Sequence, residues 1–224
     1  MAPFASLLLI AAVPESAVAG TEPGGSPDLA RQIEVLSAAA PGLAPEVLAK
    51  ALTAHGRARR QGLLPRGGRL TVIDYSLPST EPRLWVFDLP SNRLLMHEWV
   101  AHGRNSGGNH TSRFSNQPGS FQSSLGLFVT EASYAGANGY SLKLQGLEPG
   151  INDRAGERAI VIHGAAYVNS DGARRFGRLG RSLGCPAVSP RVARRLIDAI
   201  RDGSAVFAWY PEASWLRVSR FLAD

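Results

Sequence analysis

Cys185 is the single cysteine of this 224-residue chain. It sits in the stretch GRSLGCPAV, residues 180–188. A thiol acts as a nucleophile only as its thiolate, so it needs a route for its proton and a stabilising surrounding for its charge. The neighbourhood offers both. A helix is expected over 190–202, so Cys185 lies close to the positive end of its dipole. Arg178 and Arg181 add cationic charge. Gly180 and Gly184 let the backbone bend and a ligand approach closely. The N–H groups of Gly184 and Cys185 have the placement of an oxyanion hole. Together these are the parts of acyl transfer through a thioester. A buried, inert cysteine packed as a small hydrophobe is the competing reading.

The thiol needs a base, and histidine is the usual one. Of five histidines, His163 is the best placed, because it ends the apolar run AIVIH and is followed by GAAYV. A ring at the end of a buried strand faces the rim of the sheet. His102 ends another strand, before GRNSGGNH, and is a candidate for the same site. His97 and His110 carry weaker signals, and His55 falls in a helical segment where a surface position is expected. The histidines and the cysteine show no metal-ligand spacing, and GRNSGGN lacks the Lys-Ser/Thr of a phosphate loop. No metal and no cofactor are expected.

These residues must be carried by a mainly β framework. Residues 28–62 show helical spacing, with Leu29, Ile33 and Leu36 on one stripe and Leu43, Val47, Ala51 and Ala54 on the next. After PRGG the period changes to two. RLTVIDYS (69–76), RLWVFDLP (83–90) and RLLMHEWVAHG (93–103) read as a meander of antiparallel strands. LGLFVTEAS (125–133), YSLKLQGL (140–147), RAIVIHGA (158–165) and SAVFAWYP (204–211) read as further strands. One helix comes after Cys185, SPRVARRLIDAIRDG (189–203), with Ser189 suited to cap it, Pro190 to open it and Gly203 to end it.

IVIHGAAYV and GRLGRSLGCPAV together resemble the L,D-transpeptidase catalytic domain, in the divergent murein branch of the YkuD-like family. LTVIDYSLPSTEPRLWVFDL, VAHGRNSG, FSNQPGSFQSSLGLFVT and GLEPGINDRA fit the same branch, so the resemblance runs over about residues 68–210. It implies a β-sandwich-like fold with an N-terminal helical segment and one helix after the cysteine. It implies Cys185 as nucleophile, His163 as base and the Gly164 carbonyl as the group that orients the imidazole, with Gly184 in the nucleophile turn. Substrate contacts would come from Arg181, Arg178, Ser182, His102 and Tyr167. The implied reaction is attack on a peptidoglycan stem tetrapeptide at the diamino acid before the terminal D-Ala, and the implied inhibitor is a carbapenem. The chain departs from the usual motif in two places: Leu183 replaces its histidine, and Ala187 stands where Arg or Asn is usual.

The rest of the sequence bounds the function. Hydrophobic content of 44% supports a full core without disulfides. Residues 1–19 combine an apolar run, too short to span a bilayer, with small residues at Ala17–Ala19, as in a signal peptide. The division read from the sequence is a signal peptide (1–19), a linker and helical segment (20–67) and the catalytic domain (68–224), exported to the periplasm or cell envelope as a monomer. A net charge of +6 favours anionic surroundings, but no nucleic-acid-binding pattern accompanies it. The alternatives to transfer are hydrolysis by the same site, an L,D-carboxypeptidase, and a non-catalytic wall-binding module.

Overall fold

A computed structural model describes residues 27–223. The expected signal peptide and the first part of the linker lie outside the described residues. Two helices come first, α1 (Pro27–Ala39) and α2 (Pro45–Arg60). Then come strands β1 (Arg69–Asp74), β2 (Leu84–Asp88), β3 (Arg93–Glu98), β4 (Gly126–Gly136), β5 (Gly139–Gly146) and β6 (Val161–Gly164). The short helix α3 (Ser170–Phe176), the two-residue strand β7 (Ala187–Val188), α4 (Pro190–Ile200), β8 (Ala205–Trp209) and α5 (Ala213–Val218) complete the order.

All eight strands form one sheet in the order β3-β2-β1-β8-β4-β5-β6-β7. β1, β2 and β3 make the expected antiparallel meander. β8 returns from the far end of the chain to lie parallel to β1, while β6 and β7 are the other parallel pair. The edge strands do not stay open. Just beyond β3, Ala101 bridges Ala187 of β7, with Ala101 N–H donating to the Ala187 carbonyl at 2.8 Å. The sheet therefore comes round on itself, which removes the exposed edge that an open sheet would offer.

Burial explains the composition of the central strands. β8 (AVFAW) is buried along its whole length, and β2 (LWVFD) along all but its last residue. Strands covered on both sides read as continuous apolar runs rather than alternating ones. α2 packs on β1 and β8, and α4 on β6, β5 and β1. One continuous cluster joins Leu36, Val47 and Leu48 of the helices to Trp85, Phe207 and Leu196. The N-terminal helices are thus part of the core of the sheet, and no packing boundary separates residues 27–67 from the strands. α4 opens on Pro190 as expected, but Ser189 makes no side-chain cap and the helix stops at Ile200. His55 is buried, not on the surface: its Nε2–H donates to the Gly67 carbonyl at 2.8 Å.

Two buried polar centres fix the connections. Glu148, 1% exposed, accepts from Leu127 N–H (2.8 Å), Trp215 Nε1 (3.0 Å) and Ser219 Oγ (2.6 Å), so it ties β4 to the C-terminal turn. Arg83 is fully buried. It donates from Nε and Nη2 to the Val100 carbonyl, from Nη1 to the Leu77 carbonyl and from Nη2 to His102 Nδ1 at 2.7 Å. Because a guanidinium only donates, His102 carries its ring proton on Nε2. That nitrogen faces the Gly107 and Gly108 backbone without reaching hydrogen-bond geometry. Burial first, then the charge of Arg83, lowers the His102 pKa to about 4.

A histidine held neutral when folded but free to protonate when unfolded makes the fold acid-sensitive. The unfolded chain binds the extra proton below about pH 6.5, and the loss of stability is complete only below the folded value of about 4. Acidification from neutrality to below pH 4 should thus cost the fold up to about 3 kcal/mol through His102. Unfolding free energy measured in urea should fall as pH drops through this window, and His102→Gln should flatten the slope; burial lowers His55 too, so part of the slope should remain. Glu148→Ala strands three donors and should cost about 3 kcal/mol or more in the same assay at neutral pH.

Candidate active site

The Cys185 stretch is a turn strung between the closing segment 101–104 and β7. Ser182 N–H donates to the His102 carbonyl at 3.0 Å, and Arg104 N–H donates to the Ser182 carbonyl at 2.8 Å. Ser182 Oγ donates to the Cys185 carbonyl at 2.6 Å and accepts from Gly184 N–H at 3.1 Å. Gly184 has φ +129°, and a Cβ there would come within 3.0 Å of the Gln122 carbonyl oxygen. Only glycine takes that conformation without strain. Ser123 Oγ closes the turn from the other side by donating to the Gly184 carbonyl at 3.2 Å.

β6 delivers His163 opposite this turn. Its parallel pairing sets His163 beside Ala187 and Gly164 beside Val188. His163 is 6% exposed, and its Nδ1–H donates to the Gly164 carbonyl at 3.0 Å. That bond selects the tautomer with Nε2 unprotonated and able to accept. His163 and Cys185 both line one cavity of about 490 Å³, with Tyr167, Arg181 and Leu183 on its walls and Ala137 and Asn138 from the β4–β5 hairpin tip. Leu183 is 60% exposed at this cavity. The thiol does not bond the imidazole. Sγ accepts from Val161 N–H at 3.5 Å, and its own proton points to the Ala159 carbonyl at 3.6 Å.

The electrostatics differ from the sequence expectation. Burial pushes the Cys185 thiol up from its ordinary value, more than its surroundings pull it down. The side chain that pulls it down is Arg158, not Arg178 or Arg181. Arg181 gives Nη1 to the Arg104 carbonyl (3.0 Å) and the Gly107 carbonyl (2.8 Å), although it still lines the cavity. Arg178 donates to the Leu179 carbonyl and lines a second cavity of about 300 Å³ with Phe176, Asn169 and Gly180. Tyr167 lies between the two cavities and lines both. A Cβ at Gly180 would lie 2.4 Å from the Tyr167 Cβ, so that glycine sets the ring's position.

Of the nine residues expected at the site, Cys185, His163, Gly164, Tyr167, Arg181 and Ser182 gather at one cavity. Ser182 is 6% exposed and committed to the turn, which makes it a brace. Gly184 shapes the turn, and its N–H is already given to Ser182 Oγ. Arg178 belongs to the neighbouring cavity. His102 is a correction: at 1% exposure it lines no part of the cavity, because Arg83 holds its ring inside the fold, and it reaches the site only through its carbonyl. Arg158 was missed. Its partners lie 34 to 43 residues away, and no local pattern announces them.

The chain matches the family model described as L,D-transpeptidase catalytic domain over residues 39–209. No curated protein matches. Among solved structures, an L,D-transpeptidase from Mycobacterium smegmatis is 15% identical at a TM-score of 0.42, over 64% of this chain and 59% of that one. The LD transpeptidase LdtMt1 in complex with imipenem is 14% identical at 0.41, over 63% and 59%. The helical cell shape determining protein Pgp2 from Campylobacter jejuni is 12% identical at 0.41, over 64% and 48%. The chain thus covers less than two thirds of the length of each. The family match takes in most of the chain, including α2, every strand, the Cys185 turn and His163, and the chain belongs to the L,D-transpeptidase catalytic domain family.

Proposed function

We propose that this chain is a cysteine L,D-transpeptidase acting on peptidoglycan stem peptides. The observation that carries the reading is the pairing of Cys185 and His163 on one cavity, with the imidazole tautomer set by the Gly164 carbonyl. A third group that holds the ring is all that such a triad requires. Apo geometry often leaves the nucleophile and base apart until substrate binds.

The placements order the steps. A stem tetrapeptide enters the cavity, and the thiol leaves the Ala159 carbonyl for His163 Nε2, which takes its proton as sulfur attacks the carbonyl of the diamino acid. The Cys185 N–H stabilises the oxyanion. The C–N bond breaks, the imidazolium returns the proton to the departing D-Ala amine, and a thioester remains. An acceptor amine then attacks the thioester carbonyl, Nε2 takes its proton, and the thiol is re-formed as the new amide leaves. Water in place of the amine gives a carboxypeptidase. Because the resting group is a thiol, proton transfer accompanies attack rather than preceding it.

Export rests on residues 1–19 alone. Among the described residues, no helix is long and apolar enough to cross a membrane. One observation favours a second reading, a non-catalytic wall-binding module: the thiol's bonds go to Val161 and Ala159, and exposed Leu183 stands where the motif has histidine.

Intact-protein mass spectrometry separates the readings. Incubation with a carbapenem should add one drug mass to the wild type and none to Cys185→Ala. His163→Ala should slow acylation by about a hundredfold or more. Digested sacculi incubated with the wild type should gain cross-linked dimers; trimmed tripeptides alone would assign hydrolysis. Unchanged protein mass together with unchanged muropeptides would establish the binding module.

A further inference from the structure

We infer that Arg158 is the counter-charge of the Cys185 nucleophile and the clamp that sets its turn. The inference rests on the reading of Cys185 as nucleophile. Arg158 comes from the turn before β6 and is half-buried. Its guanidinium donates to four oxygens of one loop: the Ser115 carbonyl (2.5 Å), Ser124 Oγ, Ser120 Oγ (3.3 Å) and the Gln122 carbonyl (2.6 Å). All four partners are neutral. No carboxylate among the described residues lies within 4.0 Å of it. Of the two acids in this turn, Glu157 is paired with Arg154, and Asp153 accepts from Asn116 Nδ2 and the Gly150 N–H. A half-buried cation without an anion is costly. The anion that would answer it is the thiolate Cys185 forms when it gives up its proton.

The geometry links the two. Arg158 Nη2 lies 3.4 Å from the point a Cβ on Gly184 would occupy, and the Gln122 carbonyl it holds lies 3.0 Å from the same point. Arg158 therefore underlies the residue just before the nucleophile, while the loop it grips sends Ser123 to the Gly184 carbonyl. Charge and position act together. The family motif's histidine and its basic or amide residue are replaced here by Leu183 and Ala187. Positive charge comes instead from beneath the turn, from Arg158. Arg158 is a positioning residue that works on substrate through Cys185.

The groups facing the thiol leave little else for this role. Tyr75, buried just after β1, and Tyr167, half-buried after β6, are both pushed up to about 12 by desolvation first, so both are neutral at physiological pH. His163 is the proton acceptor. Arg181 shares the cavity, but its guanidinium is drawn to the Arg104 and Gly107 carbonyls. Arg158 also feels the thiolate reciprocally, since a Cys185 anion raises its pKa against the burial that lowers it.

The test is the pH dependence of Cys185 alkylation by iodoacetamide, read as intact mass. There is one cysteine, so every adduct reports on it. Arg158→Gln should raise the alkylation midpoint by about one pH unit, slowing alkylation about tenfold below the midpoint. Arg158→Lys keeps the charge but not the four-way clamp, and should hold the midpoint within about a third of a unit of wild type. An unchanged midpoint in folded Arg158→Gln, or equal shifts in both variants, overturns the charge role. If Arg158→Gln does not fold, the pair is read in the wild type by NMR. The Arg158 guanidinium signal should titrate at the thiol midpoint and stay fixed in Cys185→Ser; a signal that never moves overturns the inference. Alkylation needs no peptidoglycan and no acceptor. Loss of transfer activity with an intact Arg158 effect would therefore count against the proposed function alone.

Discussion

The hydrogen bonds that Arg83 makes to the segment 100–102 hold the molecule's seam together. A fully buried guanidinium grips the Val100 carbonyl and the His102 ring. Between them, Ala101 closes the sheet on β7, and the His102 carbonyl receives Ser182 of the Cys185 turn. Fold closure and site geometry thus share three consecutive residues. Removing an interaction here would not merely loosen an edge: it would release β7, and β7 is what holds Pro186 and Ala187 alongside His163. A single buried cation is a costly device, and its net worth depends on every donor being met. The bonds to Val100, Leu77 and His102 engage all three nitrogens through four of the five N–H groups, and the Tyr75 ring lies against the guanidinium.

A second constraint works on the thiol, as a balance between burial and charge. Desolvation keeps the proton on sulfur. The Val161 N–H and the Arg158 cation limit that penalty without overturning it. The imidazole is pre-set by the Gly164 carbonyl. In the proposed reaction, a ligand in the cavity is what brings thiol and imidazole together. Tyr167, fixed by the glycine at 180, lies between two cavities, one with Arg178 and exposed Phe176 and the other with Arg181 and exposed Leu183.

Much of this was legible in the sequence, where local pattern and global packing agree. The meander β1–β3 arises from period-two runs broken by turn residues, and α2 from its Val47, Ala51 and Ala54 stripe. Cys185 and His163 stood out through residue type and position. What was hidden depends on partners distant in the chain. The return of β8 beside β1, the two-residue β7 and the bridge at Ala101 have no local signature. α3 was missed because its seven residues are set by an Asn169 cap and a Gly177 stop rather than by an apolar stripe. His55 read as surface because its partner, the Gly67 carbonyl, lies beyond the helix. His102 read as a rim residue because the sequence does not reveal that a buried arginine waits for its ring. Arg158 read as the first residue of a strand.

The raised thiol has a bearing on chemical durability. Peroxides and disulfides react with thiolates, and a low-pKa exposed cysteine is the one that climbs the oxidation ladder. Cys185 has no second cysteine in its chain to rescue it by forming an internal disulfide. A sulfur that rests protonated, with its hydrogen turned to the Ala159 carbonyl, gives an oxidant little to attack between turnovers. On the proposed mechanism, the thiolate forms only while substrate fills the cavity and keeps small oxidants out.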